Sequence, residues 1–419
     1  MRINDVRIAA LVFCLLCVVC PTARADTSVE DAQFALSARD ATAIPRLVKI
    51  LGDTTSLRWV KGTSIVGGTT PNSQAIAALK RIGGPEVVDA LISALDKPGY
   101  SNFLRQEAIK LLGEMGDRRA IAPLVSLVRA LKNAPAESSL FRWCAISALG
   151  DLRATEASDL LLDALESGDP TERNCAAEAL GRIGDQRAID ALIKLAAEPN
   201  IYAICALGEL RKNAKAPFSG LREAQARSVL IDALSEYGIR TAAATSLGHF
   251  PGAEATRALL TAIDAPETGL GDCKCALLVA LGRHSADPGA LERVNRELAN
   301  PDRTIFTYYA RVALAIGGHD TDKIVTEIVK DLGKGGTTDT DYYFSAAVEA
   351  LGEIGGTRAV SALVSALPDA PSSPGLHPND QWRYEEFIKG LEKATGQRLP
   401  SAYAWRRWWD ARKGASGPL

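Results

Sequence analysis

The chain has 419 residues, with 48 Lys or Arg against 50 Asp or Glu and a formal net charge of −2. No basic block stands out, so nucleic acid is not an expected partner. Length alone would suggest two or three domains, but internal repeats override that prior.

Residues 1–25 read as an address. MRINDVR is charged, IAALVFCLLCVVC is an apolar run too short to span a bilayer, and small residues stand at Ala23 and Ala25. That is the grammar of a secretory signal cleaved near Ala25. A lipid on Cys20 is disfavoured, because Val19 stands where a small residue is wanted. The mature chain is expected to begin at Asp26 and to be exported, periplasmic or extracellular, with no later transmembrane run. Without Arg2, Arg7, Arg24 and Asp5 it carries 45 basic and 49 acidic residues. Of eight cysteines, Cys144, Cys175, Cys205, Cys273 and Cys275 remain. An odd number leaves at least one free thiol. Each lies in an Ala/Leu helical pattern and is expected to act as a small apolar residue.

Residues 26–74 form a less regular N-terminal capping region. DATAIPRLVKILGD resembles a lone second helix, and TTSLRWVKGTSIVGGTTPNS reads as a loop. From 75 to 367 a small-Leu-Gly step recurs at Gly113, Gly150, Gly181, Gly208, Gly248, Gly282 and Gly352, with weaker copies at Lys80 and near Gly317. Nine copies at intervals of 27 to 40 residues mean a solenoid. In each copy a first helix ends near the glycine, which is expected to stop it in the left-handed conformation. A tight turn such as GDQRA then starts a second helix. Neither helix can bury its apolar stripe alone, so the copies form each other's core.

RNCAAEALGRIGDQRAIDALIKLAAE resembles a short HEAT repeat of the phycobilisome-lyase type. The resemblance covers about residues 75–367 and implies an all-α fold: an α-solenoid of about nine helix-turn-helix HEAT-like repeats. Relatives of this kind include bilin-lyase subunits, a di-iron hydroxylase and many binding scaffolds. The hydroxylase holds its metals on His-Glu pairs, which this chain lacks, so those ligands cannot be carried over. No bilin-handling motif is found either.

A Pro-rich linker is expected at 368–381, then a Trp-rich helical cap at 382–419. Trp405, Trp408 and Trp409 fall on one helical face, and Trp382 lies upstream. The cap covers the last repeat, or its tryptophans dock a partner.

Three further sets of residues are candidate sites. Arg105, Arg142, Arg173, Arg240 and Lys274 precede the repeat glycine by eight residues. They form either a basic ladder for an anionic ligand or structural bonds to turns and helix ends, the preferred reading. His249, His284 and His319 recur one per repeat, but successive turns stand too far apart for a shared metal. They are expected to be solvated, and no metal is expected. Phe141, Trp143, Tyr308, Tyr309, Tyr342, Tyr343 and Phe344 gather where first helices begin, beside connections of variable length. They are the candidate protein-binding patch. No catalytic motif stands out: there is no G-x-S-x-G elbow, Walker loop or H-E-x-x-H.

The expected function is a non-catalytic scaffold for a protein or peptide, with no cofactor. Its concave face is expected to be lined by second helices. The alternative is a lyase-like or chaperone-like protein handling a small prosthetic group. A HEAT-type oxidoreductase is disfavoured.

Overall fold

The computed structural model describes residues 38, 40–52, 71–95, 102–132, 139–167, 169–214, 216, 218–265, 271–300, 305–332, 338–368, 378–397, 399 and 402–412. The expected signal sequence at 1–25 and most of the variable connections lie outside them, as does the expected loop at 54–73 except for residues 71–73, which begin a helix. Among the described residues there are 21 α-helices and no strand. Helix α1 (Ile44–Gly52) stands first, with Leu47 and Leu51 fully buried. Ten pairs follow. They are α2 (Pro71–Ile82) with α3 (Pro85–Leu95), α4 (Asn102–Met115) with α5 (Ile121–Ala130), and α6 (Ser139–Asp151) with α7 (Ser158–Leu165). Next come α8 (Pro170–Ile183) with α9 (Ile189–Ala196), α10 (Ile201–Asn213) with α11 (Gly220–Ala233), and α12 (Arg240–Leu247) with α13 (Ala253–Ile263). The series ends with α14 (Gly271–Arg283) and α15 (Pro288–Leu298), α16 (Ile305–Ile316) and α17 (Thr321–Leu332), α18 (Thr338–Ile354) and α19 (Gly356–Ala366), and α20 (Pro378–Thr395) and α21 (Ala402–Arg412). Even-numbered helices from α2 on are first helices and odd-numbered ones second helices.

The core runs through the whole stack. The leucine before the repeat glycine is fully buried in every strong copy: Leu112, Leu149, Leu180, Leu207, Leu247, Leu281 and Leu351. Each contributes about 1.5–3 kcal/mol of burial. The second helices answer with Leu124, Leu161, Leu192, Leu230, Leu259 and Leu363, also fully buried.

Contrary to expectation, the repeat glycine lies inside its helix in six of the seven strong copies, and only at Gly248 does the helix end there. The glycine is right-handed, and it lets successive first helices touch. A β-carbon on Gly150 would lie 2.6 Å from Ala179 Cα, one on Gly181 2.8 Å from Ala206 O, and one on Gly282 2.4 Å from Ala313 O. Gly113 meets Ala148, Gly208 meets Ser246 and Gly248 meets Ala280 in the same way. The left-handed residue comes three positions later: Gly116, Arg153, Gly184, Asp320 and Gly355. In GDRRA and GDQRA an aspartate then caps the next turn, Asp117 accepting from Arg119 N and Asp185 from Arg187 N, both at 3.0 Å.

The second-helix layer is spaced differently. Arg119 reaches Asp89 at 2.7 Å, Arg187 reaches Asp159 at 2.7 Å, Arg222 reaches Asp190 at 2.6 Å and Arg358 reaches Asp322 at 3.0 Å. Exposed pairs of this kind contribute only about 0–1 kcal/mol each. Their effect is on spacing: long side chains separate the second helices where glycine and alanine bring the first helices together. The stack therefore curves with its first helices inside. That corrects the expectation that second helices line the concave face.

The C-terminal segment departs from its expected boundaries. Helix α20 begins at Pro378, inside the predicted linker, and its pair with α21 continues the array. A β-carbon on Gly390 would lie 2.7 Å from Val348 Cγ1, so α20 packs on α18 by the same small-residue approach. Trp405 and Trp409 are buried and Trp408 partly so, and Arg406 donates to Leu367 O at 2.6 Å. The tryptophan face packs inward as a cap.

Gly150→Ala is expected to destabilise the fold by about 1–3 kcal/mol, because the neighbouring backbone cannot yield to a new methyl. Gly220→Ala, with nothing within 4 Å of the added carbon, is expected to leave the transition unchanged or raise it. Urea denaturation followed by circular dichroism separates the two.

Candidate functional site

The residue after the repeat glycine sits on the innermost strip of the curve. In chain order these residues are Glu114, Asp151, Arg182, Glu209, His249, Arg283, Gly318 and Glu353. Several pair along the strip. Lys80, at the weak first copy, meets Glu114 at 2.6 Å, and Arg182 meets Asp151 at 2.9 Å. Arg283 pairs with Glu353, two copies further on. The intervening position is Gly318, which has no side chain to stand between them. Contact between residues so far apart also requires the first-helix side to be the inner one.

Two cavities open on this strip. One, of about 590 Å³, is lined by Asp151, Arg153, Glu178, Arg182, Glu209 and Lys212 on α6, α8, α10 and the turn after α6, and by Glu392–Gln397 at the end of α20. The solenoid thus returns on itself, so that its tenth pair faces its third to fifth. Four basic and four acidic side chains line this cavity, counting Lys393 and Glu392. The second cavity, of about 340 Å³, is lined by Thr241, Thr245, Cys275, Tyr309, Ser345, Glu349 and Glu353, and shares Lys393 with the first.

Charges here are set by burial and by one another. Lys393 lies 2.5 Å from Glu353 and 3.5 Å from Glu349. Burial opposes ionisation of Glu353, but Lys393, Arg283 and Lys212 outweigh it and hold its pKa below the usual range. Burial raises that of Glu178. For His249, burial and then Arg283, Lys212 and Arg211 push the pKa down to about 3, against the opposing charge of Glu353. Burial, with Glu178 and Cys144 nearby, pushes the Cys175 thiol up to about 11. The five described cysteines are free thiols. Cys273 is buried as expected, whereas Cys144, Cys175, Cys205 and Cys275 are half-buried, and Cys205 and Cys275 line the two cavities.

Of the candidate residues Tyr309 lines the second cavity, and the others fall elsewhere. Tyr308, Tyr309, Phe344 and Phe141 are buried, and Trp143 is half-buried. Tyr309 donates to Glu349 at 2.7 Å, and Phe344 packs edge-on to Phe387 of α20 at 5.3 Å. These rings fill the seams between copies instead of presenting an edge, because β-carbon-free contacts draw the first helices together around them. The side chains of Tyr342, Tyr343 and Trp382 lie outside the described residues. Among the cations, Arg142 meets the buried Glu172 of the next copy at 2.5 Å. Arg173 donates to Ser167 O at 2.7 Å and Arg240 to Leu234 O at 2.7 Å, at the ends of the preceding second helices. Lys274 lies 3.1 Å from Glu297 and 4.3 Å from the centre of the Phe306 ring. Arg105 is half-buried in α4. No shared ladder faces solvent.

The histidines are not alike, contrary to expectation. His284 is buried, 3.0 Å from Thr256 Oγ1 and 3.2 Å from Leu247 O. His249 is half-buried, and only His319 is exposed. Among the described residues no group of three His, Cys, Asp or Glu side chains converges on a metal position. The inner strip was missed in the sequence, although its signal was present: it is always the residue after the repeat glycine.

A histidine whose folded pKa is depressed contributes stability above its unfolded pKa, about 6.5, and loses it as the pH falls toward the folded value. Both His249 and His284 are depressed by burial. The melting temperature is therefore expected to fall on acidification from about pH 6.5 downward. In an NMR titration the His249 ring should remain neutral to well below pH 5.

Residues 72–134 and 127–208 match the family of HEAT repeats, and residues 345–367 match the PBS lyase HEAT-like repeat. No curated protein matches the chain. Among solved structures it is similar to the complex of CpcE and CpcF of phycocyanin lyase from Nostoc sp. PCC7120, at 18% identity over 74% of this chain and 96% of that one, with a TM-score of 0.33. It is similar to human deoxyhypusine hydroxylase in complex with glycerol, at 20% identity over 67% and 97%, with a TM-score of 0.28. An engineered protein aligns at 18% identity over 83% and 98%, with a TM-score of 0.39. Among the described residues no helix is long and apolar enough to cross a membrane. The chain thus carries HEAT repeats over residues 72–208 and a PBS lyase HEAT-like repeat over residues 345–367, within an all-α solenoid.

Proposed function

We propose that this chain is an exported, non-catalytic scaffold that holds an extended protein segment along its concave face. The observation that carries the reading is the inner strip, which offers a side chain in every copy but that of Gly318 and sets both signs of charge along the groove through Asp151, Arg182, Glu209, Arg283 and Glu353, with His249 between Glu209 and Arg283. Packed helices stand about 8–10 Å apart, and three residues of extended chain rise about 10 Å. A segment lying in the groove would meet one strip residue at every third position. Mixed charge in the lining favours a partner segment carrying both signs, and the open, polar cavity suits a peptide backbone better than an apolar ligand.

The test is in-cell cross-linking of the mature protein, then affinity purification and mass spectrometry. The double variant Glu209→Lys/Lys212→Glu keeps net charge but reverses its order on a half-exposed part of the groove. It is expected to lose a discrete partner that the outer-layer variant Asp190→Ser retains. Equal recovery from all three proteins would place binding off the groove. A visible absorbance in the purified protein would favour a prosthetic-group carrier instead. Export is tested by sequencing the N-terminus of the cellular protein, which is expected to begin at Asp26.

A further inference from the structure

We infer that the last helix pair is a releasable strap across the groove, held electrostatically at the end of α20. The inference concerns regulation of the groove proposed above as the binding site. Three observations on different elements carry it.

The first is the cross-groove contact. A β-carbon on Gly396 would lie 3.1 Å from Arg153 Nη2, although α20 and α6 stand seven copies apart in the array. Gly396 follows the last residue of α20 and donates to Glu392 O at 2.8 Å. The guanidinium therefore lies at the carbonyl end of α20, the negative pole of its dipole. Arg182 and Lys212 line the same cavity. The second observation is backbone strain. Arg153 is left-handed, with φ 48°, at the repeat position that Gly116, Gly184 and Gly355 fill with glycine. A bulky residue pays an avoidable conformational cost there, and the side chain it supplies is the one that reaches α20. The third is the anchor behind the strap. Lys393 of α20 is held by Glu353, which Arg283 also binds, so the strap is tethered to the copies behind it.

An end held by a cation at a helix terminus is weakened by salt, whereas the small-residue seam between α18 and α20 is not. Release would swing α20 and α21 away from α6, α8 and α10 and open the large cavity along its length. The strap thus keeps the groove narrow in the free protein, and a partner would enter by displacing it.

Small-angle scattering on the mature chain tests this without any partner. The radius of gyration of the native protein is expected to rise between low and high salt. That of Arg153→Gly should be raised already at low salt, with no loss in melting temperature, since glycine relieves the backbone. A variant that merely damaged the fold would melt earlier. A native radius that does not respond to salt overturns the strap, and so does a variant whose scattering superposes on the native curve. Partner capture separates the two readings. A raised radius with no captured partner leaves the strap standing and removes the proposed function. An unchanged radius with a partner still lost in the groove variant does the reverse.

Discussion

Everything in this molecule depends on how closely one first helix can approach the next. The repeat glycine, with an alanine or serine opposite, removes the side-chain thickness that would hold the two backbones apart. A glycine at this point of a helix costs roughly 0.5–1 kcal/mol relative to alanine. The offset comes from burial, because the adjoining leucine is fully enclosed in every strong copy. Shape follows from the same contact. One layer closes to backbone distance while the other is held open by arginine–aspartate spans, and a stack built from such wedges must bend.

The bend determines where chemistry can occur. Side chains on the inner strip are drawn together, so charges separated by 70 positions in sequence meet at Arg283 and Glu353. Aromatic residues at the starts of the first helices are drawn in by the same packing. Tyr308, Tyr309 and Phe344 therefore serve as mortar, and recognition is left to the short polar and charged residues that the curvature gathers on the concave side.

The all-α solenoid was legible because period and apolar pattern are local properties that recur. Individual turn residues were legible for the same reason: GD followed by arginine and alanine encodes cap, outer clamp and buried contact within four positions. The groove was not. Its position depends on which layer is the shorter, and that is decided by contacts between helices about 30 residues apart. The glycine was noticed but assigned to helix termination, since a glycine near a helix end usually does that. Its true partner is a residue in the next copy. Likewise the three histidines share a spacing but not a fate. His284 is enclosed beside Thr256 and His319 is in solvent: α14 runs past its repeat glycine to Arg283, whereas α16 stops at Ile316 and the chain turns left-handed at Gly318 just before His319.

In an open solenoid each repeat contacts only its neighbours, so copies can be gained or lost with little consequence for the rest. The contact between Arg153 and the end of α20 removes that freedom. Insert one pair between them and α20 would arrive a full helix spacing too late; delete one and it would arrive too early. The array is counted, as the staves of a barrel are counted by its hoop. Copy number becomes a specified quantity, and the tolerance to duplication and deletion typical of repeat proteins should be confined to the segment before α6.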